Sequence, residues 1–139
     1  MKLIAYVDGS SLGNPGEAGY GIRIQDDKGN VVKSFGRYIG KATNNVAEYS
    51  ALISSLEIAA GLKAESLKVF SDSELVVRQM NGLYKVKQGH LRALHQRVLD
   101  IIDKTSIVFT IQHIEREKNR DADRLARRAV SARHEISEP

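Results

Sequence analysis

The 139-residue chain has no cysteine and no tryptophan. The missing cysteine excludes disulfide frameworks, thiolate metal sites and a cysteine nucleophile. It suits a reducing cytoplasm, where the protein is expected to work. Long apolar runs are missing too. The apolar start at Leu3–Val7 meets Asp8 at once, too soon for a secretory signal core. Nothing approaches the roughly 20 apolar residues of a membrane helix, so no membrane partner is expected. Two chemical signatures are also absent. There is no Gly-x-x-x-x-Gly-Lys-Ser/Thr loop for nucleotide phosphates. His90, His95, His113 and His134 lack the spacing of a zinc site.

What remains is an ordinary globular composition, 42% hydrophobic and 27% charged. The length suits a single domain over 1–139 that buries its own core, expected to act as a monomer. The net charge of +4 is unevenly placed. Segment 116–134 carries seven basic residues and three acids, so its net charge equals that of the whole chain. A basic element on a neutral body points to a phosphate-rich partner; a solvated helix face would give the same pattern.

The order of elements follows from periodicity. Residues 2–7 form a strand that ends at Asp8. The run from Gly9 to Gly16 is turn chemistry throughout. Tyr20, Ile22 and Ile24 alternate with Gly21, Arg23 and Gln25, the period of a half-buried strand. Asp27-Lys28-Gly29-Asn30 turns the chain into a third strand, Val31–Ile39. Thr43 or Asn44 caps a helix whose apolar stripe includes Tyr49, Leu52, Ile53 and Leu56. A short strand, Leu67–Phe70, stops at Ser71-Asp72-Ser73. Two helices follow, over Glu74–Met80 and Leu91–Ile102, then a strand over Ile107–Ile114. Asn119 caps a last helix bearing Ala122, Leu125, Ala126 and Ala129. The tail, 134–139, is polar and expected to fray. The predicted fold is α/β: a five-stranded mixed sheet, an antiparallel meander followed by α/β units, with helices on both faces.

Four acids sit where elements begin or end, the places from which a rigid scaffold aims side chains into a cleft. Asp8 ends the first strand and Asp72 the fourth. Glu48 lies near the start of the first helix, on the row that continues to Leu52 and Leu56, and Asp123 in the first turn of the last. Taken singly, each also fits a turn residue or an acid favoured by a helix dipole. Converging in one cleft, they could not all ionise without a cation. Hard oxygen ligands favour Mg²⁺ or Mn²⁺, and such clusters support two-metal phosphodiester cleavage.

The residues resemble type 1 ribonuclease H. Asp8-Gly9-Ser10, Gly13-Asn14-Pro15-Gly16 and Gly19-Tyr20-Gly21 look like its opening. Thr43-Asn44-Asn45-Val46-Ala47-Glu48 is similar to its second motif and Ser71-Asp72-Ser73 to its third. Asn119-Arg120-Asp121-Ala122-Asp123-Arg124-Leu125-Ala126 is similar to its fourth. The resemblance covers about residues 2–130. It implies a ribonuclease H-like fold and an endonuclease that hydrolyses the RNA strand of RNA–DNA hybrids, leaving 5′-phosphate and 3′-hydroxyl ends. Asp8, Glu48, Asp72 and Asp123 would bind two ions, Mg²⁺ or Mn²⁺. Asn14, Asn44 and Asn45 would contact the minor groove, with Asn14 and Asn45 on the RNA strand, and Thr43 would hold a DNA phosphate. Asp121 competes for the fourth carboxylate, about 200° away around the helix, but the motif's spacing falls on Asp123.

Two departures stand out. The family's mobile loop before the last helix is short here, as in archaeal and some bacterial members. His113 falls inside the alternating strand, which leaves Arg116 as the candidate for assisting turnover. Segment 81–92 has Lys85, Lys87 and Arg92 but is short, so no full basic protrusion is expected. Grip would shift to Arg120, Arg124, Arg127 and Arg128 on the last helix. The alternatives are a catalytically silent hybrid-binding module, a ribonuclease H domain of a reverse transcriptase, and a transposase or integrase relative. The complete carboxylate set speaks against the first, and the start at Met1 just before the first strand against the second. The Gly-Asn-Pro-Gly turn and Thr-Asn-Asn run speak against the third.

Overall fold

The alternating residues at the start of the chain build a meander of three long strands: β1 (Lys2–Gly13), β2 (Gly16–Asp26) and β3 (Val31–Ala42). A computed structural model describes residues 1–138. β1 and β2 pair from Leu3–Asp26 to Gly13–Gly16, leaving only Asn14 and Pro15 for the turn. The sequence marks all of Gly9–Gly16 as turn. Strand pairing prevails because it satisfies the backbone of Gly9–Gly13 against β2, and propensity in strands yields readily to context. The Ser11 hydroxyl extends the tie to β3 by donating to the Ala42 carbonyl at 3.0 Å.

The chain then runs through α1 (Asn44–Gly61), β4 (Ser66–Ser71), α2 (Glu74–Met80), α3 (Gly89–Thr105) and β5 (Val108–His113). A short 3₁₀ turn (Arg116–Lys118) leads to α4 (Arg120–Ala132). Thr43 starts α1 by accepting the Val46 N–H at 3.2 Å, and Ser73 does the same for α2. β4 lies parallel to β1, and β5 parallel to β4, as the intervening helices require. Segment 81–88, between α2 and α3, contains no helix.

With Ile136–Ser137 as β6, the sheet has six strands among the described residues, in the order β5-β4-β1-β2-β3-β6. This corrects the expectation of five strands and a frayed tail over 134–139. Ile136–Ser137 forms β6, antiparallel to β3, and Glu138 N–H donates to the Ser34 carbonyl at 2.9 Å. The reason is an open edge. β3 offers unpaired backbone groups that even a polar segment can satisfy, and the Glu138 carboxylate pairs with Arg124 and Arg128. Pro139 lies outside the described residues.

Helices cover both faces, as expected. On one face Leu3, Val7, Ile22, Ile24 and Phe35 pack with Tyr49, Leu52 and Leu56 of α1 and Val98 of α3. On the other lies α4, so close that a Cβ on Gly21 would stand 2.0 Å from the Ala122 carbonyl. Only glycine allows that approach. Among the described residues, no helix is long and apolar enough to cross a membrane.

Candidate active site

Parallel pairing of β1 with β4 ends at Val7–Ser71. The next residue of each strand is therefore Asp8 or Asp72, delivered side by side at one edge of the sheet. Glu48 comes from the first turns of α1. It gets there because Gly9 lacks a side chain: a Cβ at that position would lie 2.7 Å from the Glu48 backbone nitrogen. In return Gly9 N–H donates to Glu48 Oε1 at 2.9 Å. One carboxylate oxygen from each of Asp8, Glu48 and Asp72 lies within 4.8 Å of the others.

Two of the three are deeply buried, Asp8 at 4% exposure and Glu48 at 2%. Burial pushes the Asp8 carboxyl far above the carboxylate range, and the charges of Glu48 and Asp72 push it further. Burial likewise raises Glu48, against the Gly9 hydrogen bond and the positive charge of Arg116, which favour its ionised form. Glu48 Oε2 is buried with no hydrogen-bond partner among the described residues. Like charges at this spacing keep a proton unless a cation replaces it.

Asp123, in the first turn of α4, adds its charge to those that raise the Asp8 carboxyl and is ion-paired with Arg127 at 3.2 Å. Asp121 turns away, to Arg124 at 2.8 Å and Arg23 at 3.5 Å. Of the two acids it is Asp123 that lines a cleft with Gly9 and Ser10.

Arg116 stands in the 3₁₀ turn before α4, exposed, beside a cleft of about 540 Å³. Gly9, Ser10, Asn44, Asp123 and Arg127 share that cleft. His113 lies at the end of β5, in register with Ser71 and exposed. Asn14, at the hairpin tip, accepts the Asn44 backbone N–H on its Oδ1 at 3.0 Å. Asn45 opens instead onto a second groove, of about 550 Å³, with Leu83, Tyr84, Lys85 and Lys87. The start of α1 thus divides two grooves, with Asn14 on the side of Asn44 rather than of Asn45.

Three features escape sequence reasoning. Asn119 is no side-chain cap: it is buried and donates to the Val7 carbonyl at 2.8 Å and to Asp72 Oδ2 at 3.4 Å. No local signal distinguishes that from a cap. Arg127 belongs to the carboxylate cleft through Asp123, which the i,i+4 spacing could have indicated. Arg124 and Arg128 are engaged by Glu138, a partner that charge counting along the helix does not see.

Comparison with known proteins gives consistent matches. A family model described as "Reverse transcriptase-like" matches residues 6–129. The chain is 42% identical to LC11-RNase H1, whose crystal structure in complex with an RNA/DNA hybrid superposes with a TM-score of 0.90 over 95% of this chain and 99% of that one. RNase H1 from the halophilic archaeon Halobacterium salinarum gives a TM-score of 0.90 at 36% identity, covering 95% and 99% of the two chains. The Bifunctional protein Rv2228c of Mycobacterium tuberculosis is 41% identical over 133 residues, 95% of this chain and 36% of that protein. The chain thus spans about a third of the length of that relative.

Proposed function

Because the chain belongs to the type 1 ribonuclease H family, we propose that it is an endonuclease cutting the RNA strand of RNA–DNA hybrids. The observation that carries this is the cluster of Asp8, Glu48 and Asp72, with three carboxylate oxygens within 4.8 Å. The cluster fits divalent metal: the donors are hard oxygens, and Glu48 Oε2 is buried and unpartnered. Asp8, Glu48, Asp72 and Asp123 would hold two ions, with Mg²⁺ the first choice and Mn²⁺ able to serve. Bound there, divalent ions supply an activated water and a counter-charge for the leaving oxygen, which gives 5′-phosphate and 3′-hydroxyl ends.

The chain's own groups do the rest. Burial and the charges of Glu48, Asp72 and Asp123 favour a protonated Asp8. That proton must leave before Asp8 acts as a ligand. Arg116 favours the ionised form of Glu48 and lies at the cleft mouth, where a scissile-strand phosphate would meet it. Asn14 spends its Oδ1 on the Asn44 N–H, so toward substrate it offers its Nδ2 as a donor, suited to a 2′-hydroxyl oxygen or a base-edge acceptor. The Thr43 oxygen accepts the Val46 N–H and keeps its own proton to donate to a DNA-strand phosphate. Asn44 sits in the cleft with Arg116, and Asn45 in the groove with Lys85 and Lys87. A hybrid lying across the start of α1 would meet both grooves.

The test is strand selectivity. Hybrids labelled on either strand, single-stranded RNA and duplex DNA are incubated with enzyme and Mg²⁺. Cleavage confined to the RNA strand of the hybrid is expected. Equal cutting of duplex DNA, or binding of hybrid without cutting, would overturn the proposal.

A further inference from the structure

Asn119 is 1% exposed and has no part in the chemistry above. Its contacts reach the segments that carry Asp8, Asp72 and Asp123. Its Nδ2 donates to the carbonyl of Val7, the residue before Asp8, at 2.8 Å, and to Asp72 Oδ2 at 3.4 Å. Its backbone carbonyl accepts the Asp123 N–H at 3.1 Å. The Val7 carbonyl can only accept, so it fixes which way the amide faces. Oδ1 is then left buried with no partner among the described residues. An orphaned acceptor costs stability, which makes sense at a position held for what its donor does.

We propose that Asn119 is a positioning residue that keys Asp72 and Asp123 to the end of β1 and so sets the affinity of the cluster for divalent cation. This rests on the carboxylates being metal ligands. The chemistry selects a carboxamide of this length. One nitrogen with two hydrogens serves a carbonyl and a carboxylate together. Serine offers one hydrogen, aspartate offers another acceptor, and glutamine carries the nitrogen a methylene too far. Partners that orient metal ligands in this way are typically worth about 10–100-fold in metal affinity or activity.

The experiment compares wild type with Asn119→Ser and Asn119→Gln. Mg²⁺ and Mn²⁺ are titrated while the melting temperature is followed, and hybrid cleavage is measured in parallel. The half-saturating metal concentration should rise about tenfold or more in both variants, with kcat reduced and KM for hybrid unchanged. A lower melting temperature with unchanged metal midpoints would make Asn119 a packing residue and overturn the proposal. Asp72→Asn is measured alongside. If it shifts the midpoint while the Asn119 variants do not, the inference about Asn119 alone fails. If it too shifts nothing, the reading of the carboxylates fails and takes the inference with it. A measurement on the wild-type protein needs no variant to fold: the Asn119 side-chain NH₂ should exchange slowly by NMR and move during Mg²⁺ titration. Fast exchange without movement would also overturn the proposal.

Discussion

Replacing Asp8 by Asn should stabilise the metal-free protein while removing its activity. The substitution keeps shape but takes a titratable carboxyl out of a site where Asp8 is 4% and Glu48 2% exposed. Burial, then the charges of Glu48 and Asp72, raise the Asp8 pKa in the folded state. A carboxyl raised above its unfolded value contributes stability that is fully present below about pH 4 and is lost as pH rises toward its folded pKa. Wild type at pH 8 without metal has lost much of that contribution, whereas Asn cannot ionise and loses none. Each pKa unit is about 1.4 kcal/mol. With one or two effective units relieved, the gain is about 1–3 kcal/mol. At roughly 2–4 °C per kcal/mol for a chain of this size, melting should rise by about 2–12 °C at pH 8 in EDTA. The difference should shrink toward zero at pH 4, where Asp8 is neutral. Added Mg²⁺ should raise the melting temperature of wild type more than that of the variant. Calorimetry at three pH values with and without metal measures all of this. A variant less stable than wild type at every pH, or stabilised equally at pH 4 and pH 8, would refute the picture of a buried, mutually repelling cluster.

Other consequences follow from the same geometry. Metal binding should displace protons from Asp8 and Glu48, both raised, so Mg²⁺ affinity should climb between pH 6 and pH 8; calorimetric titration in buffers of different ionisation enthalpy reads the protons released. Arg116→Ala removes a charge that favours ionised Glu48, so the acid limb of the pH–activity profile should move to higher pH, and an unmoved limb would dissociate Arg116 from the site. Gly9→Ala places a Cβ 2.7 Å from the Glu48 nitrogen; a stability loss of about 1–3 kcal/mol and weakened metal binding are expected in thermal titration. Deleting residues 135–139 removes β6 and the Glu138 pairs to Arg124 and Arg128. Exposed pairs are worth about 0.2–1 kcal/mol each, so melting should fall by a few degrees. Hybrid binding should gain salt dependence as the two arginines are freed.

The element order was legible because apolar periodicity switches from 2 to 3.6 at Thr43 and back again after Gly61. Asp8 and Asp72 were legible as candidates because each follows an apolar run. Their meeting was not, since it depends on β1 pairing with β4 in a register ending at Val7–Ser71. Only the family resemblance put the four acids together beforehand. Asn119 shows the opposite failure. Asn before a helix is a strong local signal for a cap, but here its acceptors lie 112 and 47 residues away along the chain. Composition misled at the tail, where polar residues suggested fraying. The free edge of β3 and the facing arginines of α4 decide that matter, and neither is visible in the segment itself.

The central claim is metal-dependent cutting by the carboxylate cluster. The most direct measurement is gel-resolved cleavage of a labelled RNA–DNA hybrid with Mg²⁺, with Mn²⁺ and with EDTA, for wild type and Asp8→Asn. Cutting by wild type with either metal, abolished by EDTA and by the substitution, is the predicted result. Cutting that survives EDTA or Asp8→Asn would contradict it, and so would intact hybrid under every metal.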